Sequence, residues 1–244
     1  MAPKLNVKIE SLSYADIDAC AEISRRDGYD MHRMARRGYL GNPERKTMVL
    51  VKAVDVDVGS IVGYGGCAFP NVKQASIPWI GPADAKPQEQ GPKSEAGDKV
   101  TREPGQTLKP DAIERPHALE DKDMQYFQYK VIPAGEPCIT VMGLAVAPAH
   151  QSPGVGSALL GNGNTIADRL RLTIWAHSSH QAVDAYGKAG FEPVRVLHLD
   201  LDEYEPRPLG DNEPVMGNKR SGKWGHYVIQ YMKREPGEVN TETM

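Results

Sequence analysis

The chain has 244 residues, with 29 Lys and Arg against 32 Asp and Glu, a formal net charge of -3, and 40% hydrophobic residues. That length and apolar content suit one large domain, or one domain with a big insertion. The balanced charge argues against nucleic acid as the main partner, and no apolar run approaches the roughly 20 residues of a membrane helix.

The N-terminus, Met1-Ala2-Pro3-Lys4, lacks an apolar signal segment. Leu5-Asn6-Val7-Lys8-Ile9 alternates apolar and polar residues, as a half-buried strand does. Ser13 can cap a helix carrying Ile17, Ala21 and Ile23, and a second helix is expected from Met31 to Tyr39, ending near Gly41-Asn42-Pro43. Met48–Val51 and Ile61–Tyr64 read as paired strands around a turn at Asp57–Ser60. From Pro70 to Pro116 the chain is rich in Pro, Gly, Lys and Glu. Such a stretch buries too little surface to offset its ordering entropy, so a partly mobile insertion is expected between the third and fourth strands. His117–Lys130 reads as a helix, and Ile139–Val146 as a strand covered on both faces. A helix is then expected from Gly156 to about Arg169, a strand at Leu172–Trp175, and a helix at Ser179–Ala189 ended by Gly190. Val194–Leu199 and Tyr227–Met232 form two late strands, and no internal repeat is found. The order implies an α+β layout around one mixed sheet, with residues 1–244 as one domain and an insertion at 70–136.

Three widely spaced cysteines, Cys20, Cys67 and Cys138, show no C-x-x-C or Cys/His ligand spacing. A structural zinc is not expected, nor any other metal. The odd count implies reduced thiols and a cytoplasmic setting, with the nucleus left open.

The most informative stretch joins Leu144-Ala145-Val146 to the loop Gln151-Ser152-Pro153-Gly154-Val155-Gly156 and then to Ser157-Ala158-Leu159-Leu160. Glycines let a ligand approach the backbone, and the free N–H groups of the following helix make a seat for phosphate. The Walker pattern needs Lys and Ser/Thr after its second glycine, whereas Ser157-Ala158 follow here. The dinucleotide pattern needs a third glycine in register, which is missing.

Gln-x-x-Gly-x-Gly at a strand end resembles the pyrophosphate loop of the GCN5-related N-acetyltransferases (GNATs). Ser179-x-x-Ala182-x-x-x-Tyr186, followed by Gly190-Phe191, resembles the second signature of that superfamily. The tail, Asp200–Tyr204 with Trp224–Tyr227, resembles a branch common in fungal genomes whose substrates are mostly unknown.

The resemblance implies a GNAT-like, mostly antiparallel sheet flanked by helices, with acetyl-CoA as cosubstrate and direct acetyl transfer to a primary amine. It implies coenzyme contacts from Leu144, Ala145, Val146, Gln151, Ser152, Gly154, Val155, Gly156, Ser157, Ser179, Ala182 and Tyr186. Two departures stand out. Ser179 occupies a position where the family often has Asn, and offers one hydroxyl in place of an amide. Pro153 has no N–H for a phosphate oxygen.

Tyr186 takes the family's place for the general acid. The strand Cys138–Val146 contains no carboxylate, so His177 and Glu136 are the candidate bases. Glu120 and Asp123 qualify only if their helix folds over the site. Tyr126, Tyr129 and Asp123 are candidate contacts for a small-molecule amine acceptor. Two alternatives stay open: a catalytically weak acetyl-CoA-binding module, and a protein or peptide lysine acetyltransferase. Neither nucleic acid nor membrane is an expected partner, and the late strands offer an edge for a homodimer.

Overall fold

The computed structural model describes residues 5–24, 48–78, 111–151, 154–204, 218–220 and 223–237. The helix expected at Met31–Tyr39, residues 79–110 of the insertion, and Ser152 and Pro153 of the loop lie outside them.

The architecture is the α+β, GNAT-like arrangement: a mostly antiparallel sheet with helices on both faces. In chain order the elements are β1 (Val7–Ser11), α1 (Ile17–Ser24), β2 (Met48–Asp55), β3 (Ile61–Ala68) and α2 (Asp111–Tyr126), which widens into a π-helical turn at Phe127–Val131. They continue with β4 (Ile139–Val146), α3 (Val155–Leu170), β5 (Ile174–Ser179), α4 (Val183–Lys188), β6 (Glu192–Asp200), β7 (Asn218–Arg220) and β8 (Lys223–Arg234). The sheet runs β1-β2-β3-β4-β5-β8-β6, and β7 pairs with β8 as a side branch. Among the described strands, β4 and β5 are the parallel pair, and the rest pair antiparallel.

Strand alternation sorts the core into two faces. On one, Val49, Val51, Ile139, Val141, Ile174 and Ala176 pack under Val155, Leu159, Leu160 and Ile166 of α3 and under Tyr186 of α4. Each fully buried aliphatic side chain contributes roughly 1.5–3 kcal/mol, so α3 is firmly fixed to the strands beneath it. On the other face, Leu50 and Tyr64 meet Leu12 and Cys20 beside α1. Farther along that face, Trp175, Ile229 and Tyr231 meet Phe127 from the π turn. Phe127 sits 4.6 Å from the Tyr231 ring and 5.8 Å from Trp175, ring centre to ring centre.

Polar ties complete the frame. Ser13 donates to the Asp16 carboxylate from its backbone N–H and its hydroxyl, both at 2.7 Å, and Lys52 Nζ reaches the same carboxylate at 2.8 Å. Burial opposes ionisation of Asp16, but these donors win and hold its pKa below the usual value. Asp168 of α3 takes Arg234 of β8 through both oxygens, at 2.7 and 3.0 Å. The three cysteines are free thiols. No described helix is long and apolar enough to cross a membrane.

Four sequence expectations change. The helix expected at Ser179–Ala189 starts at Val183, because Ser179 is the last residue of β5, paired with Ile229. The strand expected at Leu172–Trp175 runs instead over Ile174–Ser179, where β8 pairs with all six residues. The helix of the insertion begins at Asp111, inside the Pro- and Gly-rich stretch. A further short strand, β7, lies in the late connection.

Candidate functional site

The site begins with a parting of two strands. β4 and β5 pair at Ile139–Ile174 and Thr140–Trp175 and then separate. β5 leaves to follow β8, with which it pairs from Ile174 to Ser179, while β4 stays with β3 as far as Val146. The register of β4 on β3 slips between Gly66 and Cys67, which leaves Met142 as an extra residue at the start of the separation. Bulges of this kind recur beside active sites because they re-aim the strand.

Losing β5 frees one edge of β4. Ala147 donates its N–H to Val62 at 2.9 Å, toward β3. Backbone groups alternate sides along an antiparallel ladder, so Ala145 and Gly143 also face β3, and Leu144 and Val146 face the gap. The Val146 carbonyl, on that side, accepts from the Gln151 side chain at 3.3 Å.

The gap is a cavity of about 240 Å³, lined from both faces of the sheet. Val141, Leu144, Ala182 and Tyr186 contribute from the α3/α4 face. Tyr64, Met142, Ala145, Tyr227 and Ile229 contribute from the α1/α2 face. His177, Ser178 and Ser179 line the β5 side, and Glu120 reaches in from α2. The opening therefore passes through the sheet.

At the C-terminal end of β4, α3 presents its N-terminus. Gly154 precedes it with φ +96°, a left-handed conformation that glycine adopts without strain. The first helical hydrogen bond runs from Ala158 N–H to Gly154 at 3.0 Å. The N–H groups of Val155, Gly156 and Ser157 thus have no partner within the helix, and the positive end of the helix dipole stands behind them. Gly156 lies against the side chains of Leu144 and Val146. Val155 itself is 1% exposed, so its side chain is core and only its backbone is offered.

Two ionisable groups in the cleft are perturbed. The Tyr186 ring packs edge-on against Phe191 at 5.2 Å. Burial, with Cys67 beside it, pushes its pKa above the usual phenol range. His177 keeps solvent access on the cleft side, yet the protein crowding around its ring disfavours the charged form and lowers its pKa below 6.5. Neutral imidazole is therefore its resting state at pH 7.

The structure brings together Leu144, Ala145, His177, Ser179, Ala182 and Tyr186 around the cleft, with Val146, Gln151, Gly154, Val155, Gly156 and Ser157 at its end. Glu136 stands elsewhere, exposed in the turn before β4, where its carbonyl accepts from Asn71 at 3.1 Å. Asp123 is bound to Arg195 of β6, and Tyr126 covers that guanidinium at 4.8 Å. Tyr129 is 72% exposed. None of these four lines the cleft. Tyr64, which does, belongs to no motif, and Tyr227, which also does, stands out in the sequence only as part of the tail pattern Trp224–Tyr227; among the described residues no metal-binding cluster is found.

Residues 122–191 match the acetyltransferase (GNAT) family, a span that runs from α2 through β4, α3, β5 and α4 to Phe191. The match supports membership of the GNAT superfamily and defines the class as an acyltransferase with acetyl-CoA as cosubstrate. Solved structures of similar fold include a mosquito arylalkylamine N-acetyltransferase like 5b, 16% identical with a TM-score of 0.50, covering 94% of this chain and 100% of that one. Others are a GCN5-related N-acetyltransferase from Kribbella flavida, at 14% and 0.48, with 94% and 97% covered, and Arabidopsis thaliana NAA60 in complex with acetyl-CoA, at 12% and 0.49, with 94% and 98% covered. No curated protein matches the sequence.

Proposed function

We propose that the protein transfers an acetyl group from acetyl-CoA to the primary amine of a small molecule by direct attack. The observation that carries this reading is the parting of β4 from β5, which opens the sheet from both faces. It admits the acyl donor along β4 and leaves the α1/α2 face to the acceptor.

In this reading the amides of Val155, Gly156 and Ser157 hold the diphosphate, and Leu144 and Val146 bond the pantetheine chain as a neighbouring strand would. Ala145 turns its backbone to β3, so it supplies wall rather than hydrogen bonds. The coenzyme supplies an activated acetyl thioester. As its carbonyl oxygen gathers negative charge, a gap-facing N–H of β4 stabilises it. An alkyl amine with pKa near 10.4 is neutral in only about one molecule in two thousand at pH 7. Neutral His177 is suited to take the proton. Tyr186 has a phenol less acidic than a free thiol of pKa about 8.5. It therefore donates a hydrogen bond to the leaving sulfur and keeps its own proton.

The small acceptor is favoured by α2, which lies across the α1/α2 face and sends Glu120 into the cleft. A peptide would need an open groove there. Incubation with acetyl-CoA and a panel of polyamines, amino sugars and amino acids, read by release of CoA thiol, tests the reading. At least one saturable acceptor is expected. Coenzyme binding without turnover across the panel would point to a binding module, and absence of coenzyme binding would overturn the reading entirely.

A further inference from the structure

Helix α2 belongs to neither sequence signature, yet it delivers an acidic side chain to the cleft. Glu120, Asp123, Met124 and Phe127 recur at i, i+3, i+4 and i+7, which is one helical face. Asp123, Met124 and Phe127 seat this face on the sheet. Phe127 is 1% exposed between Trp175 and Tyr231, and Met124 packs in the same cluster. Asp123 binds Arg195 of β6 through both carboxylate oxygens. Buried Tyr231 lies close to this pair; its burial first, then Asp123 beside it and the Glu120 charge, push its phenol pKa up. One turn toward the N-terminus, the same face meets the strand gap in place of packed core. There Glu120 joins Tyr64, Tyr227 and His177. It is the one carboxylate among the described lining residues.

We infer that Glu120 is the acceptor-binding residue, holding a cationic alkyl amine by its ammonium charge beside Tyr64 and Tyr227. The inference rests on the acetyl-transfer reading above and names its acceptor class. A carboxylate makes charge-assisted hydrogen bonds to an ammonium, and phenol faces favour the same charge. Glu120 is half-buried, so a pair there is screened less than on an open surface. Glu120 takes no proton in this scheme; the amine's proton goes to His177, which is neutral and in the same cleft. Asp123 is a positioning residue, because its grip on Arg195 sets where the next turn of α2 falls.

The test compares putrescine, cationic at pH 7, with aniline, neutral at pH 7. Glu120→Gln should raise the putrescine KM about tenfold or more, leave kcat and the acetyl-CoA KM little changed, and leave the aniline KM unmoved. Glu120→Asp should fall between wild type and Gln. Calorimetric titration of putrescine into protein preloaded with CoA reads the same contact without turnover. At least a tenfold loss of affinity in the Gln variant supports the assignment. Equal putrescine binding by wild type and variant, or an equal rise in KM for both amines, overturns it. Putrescine binding that depends on Glu120, with no acetyl transfer to any amine, overturns the transfer reading and leaves the Glu120 assignment standing.

Discussion

Substituting Gly156 by alanine should move stability and coenzyme affinity in opposite directions. Gly156 lies in the first turn of α3, outside the left-handed region. A Cβ there would stand 3.8 Å from Leu144 Cδ2 and 3.9 Å from Val146 Cγ2, which is ordinary contact. Alanine therefore fits the free protein. By restricting the unfolded chain it should stabilise the fold by about 0.4–1 kcal/mol, a rise in Tm of about 1–4 °C for a chain of this size. The same methyl points toward β4, where the coenzyme is proposed to pass. Loss of one charge-assisted contact between a backbone amide and phosphate is worth roughly 1.5–3 kcal/mol, or about a ten- to hundredfold loss of affinity. Differential scanning calorimetry gives the first number and isothermal titration with acetyl-CoA the second. Gly154→Ala provides the contrast. Its φ of +96° imposes strain of about 1–2 kcal/mol on any side chain, so Tm and affinity should fall together. If the Gly156 variant binds acetyl-CoA as tightly as wild type, the diphosphate does not sit at this turn and the assignment of the loop is wrong.

Tyr186→Phe should lower kcat about ten- to hundredfold, the worth of one hydrogen bond to a charged group, while acetyl-CoA affinity measured by titration stays within about twofold. The lowered pKa of His177 sets two pH effects. The rate in kcat/KM should climb through a limb below pH 6.5 as His177 loses its proton, and His177→Gln should abolish that limb. A folded pKa below the unfolded one means the unfolded state binds more protons. The His177 contribution to stability is thus present above pH 6.5 and is lost as pH falls through the folded value. Asp168 behaves as a depressed carboxylate, because Arg234 first, and the Gly237 N–H as well, stabilise its charged form against burial. Asp168→Asn should cost about 1–2 kcal/mol at pH 7 in denaturant unfolding. The difference from wild type should shrink as pH drops below about 3.9 and Asp168 itself becomes neutral.

Local patterns were legible wherever the physics is local. The apolar run Ile139–Val146 reads as a strand because both sheet faces over it are covered, and α3 covers one of them. Gly154 marks the start of α3 because its left-handed conformation is a demand of the backbone at that one position. Ser179 was misread as the opening of a helix. Its neighbours have helical spacing, but pairing with Ile229 of β8 holds it in a strand, and nothing nearby in sequence signals that partner. The carboxylates show the same divide. Glu136 lies two residues before Cys138 and so close to β4 in sequence, yet it is exposed and is not among the residues that line the cleft. Glu120, nineteen residues before β4 by sequence number, lines that cavity. In the sequence Glu120 qualifies only if its helix folds over the site, and it is the seat of Phe127 against Tyr231 and Trp175 that fixes which face of α2 lies on the sheet.

By itself, then, the chain marked most of its strands and the glycine turn that opens α3, because each is written in spacing over a few residues, while its class was legible through resemblance to two family signatures. Only the tertiary structure decided where β4 and β5 part and which side chains meet in the opening. Those depend on β8 drawing β5 aside and on a salt bridge between Asp123 and Arg195, residues 72 apart in sequence. No window of sequence spans such a distance, so the α1/α2 side of the cleft becomes visible only when the sheet has been assembled.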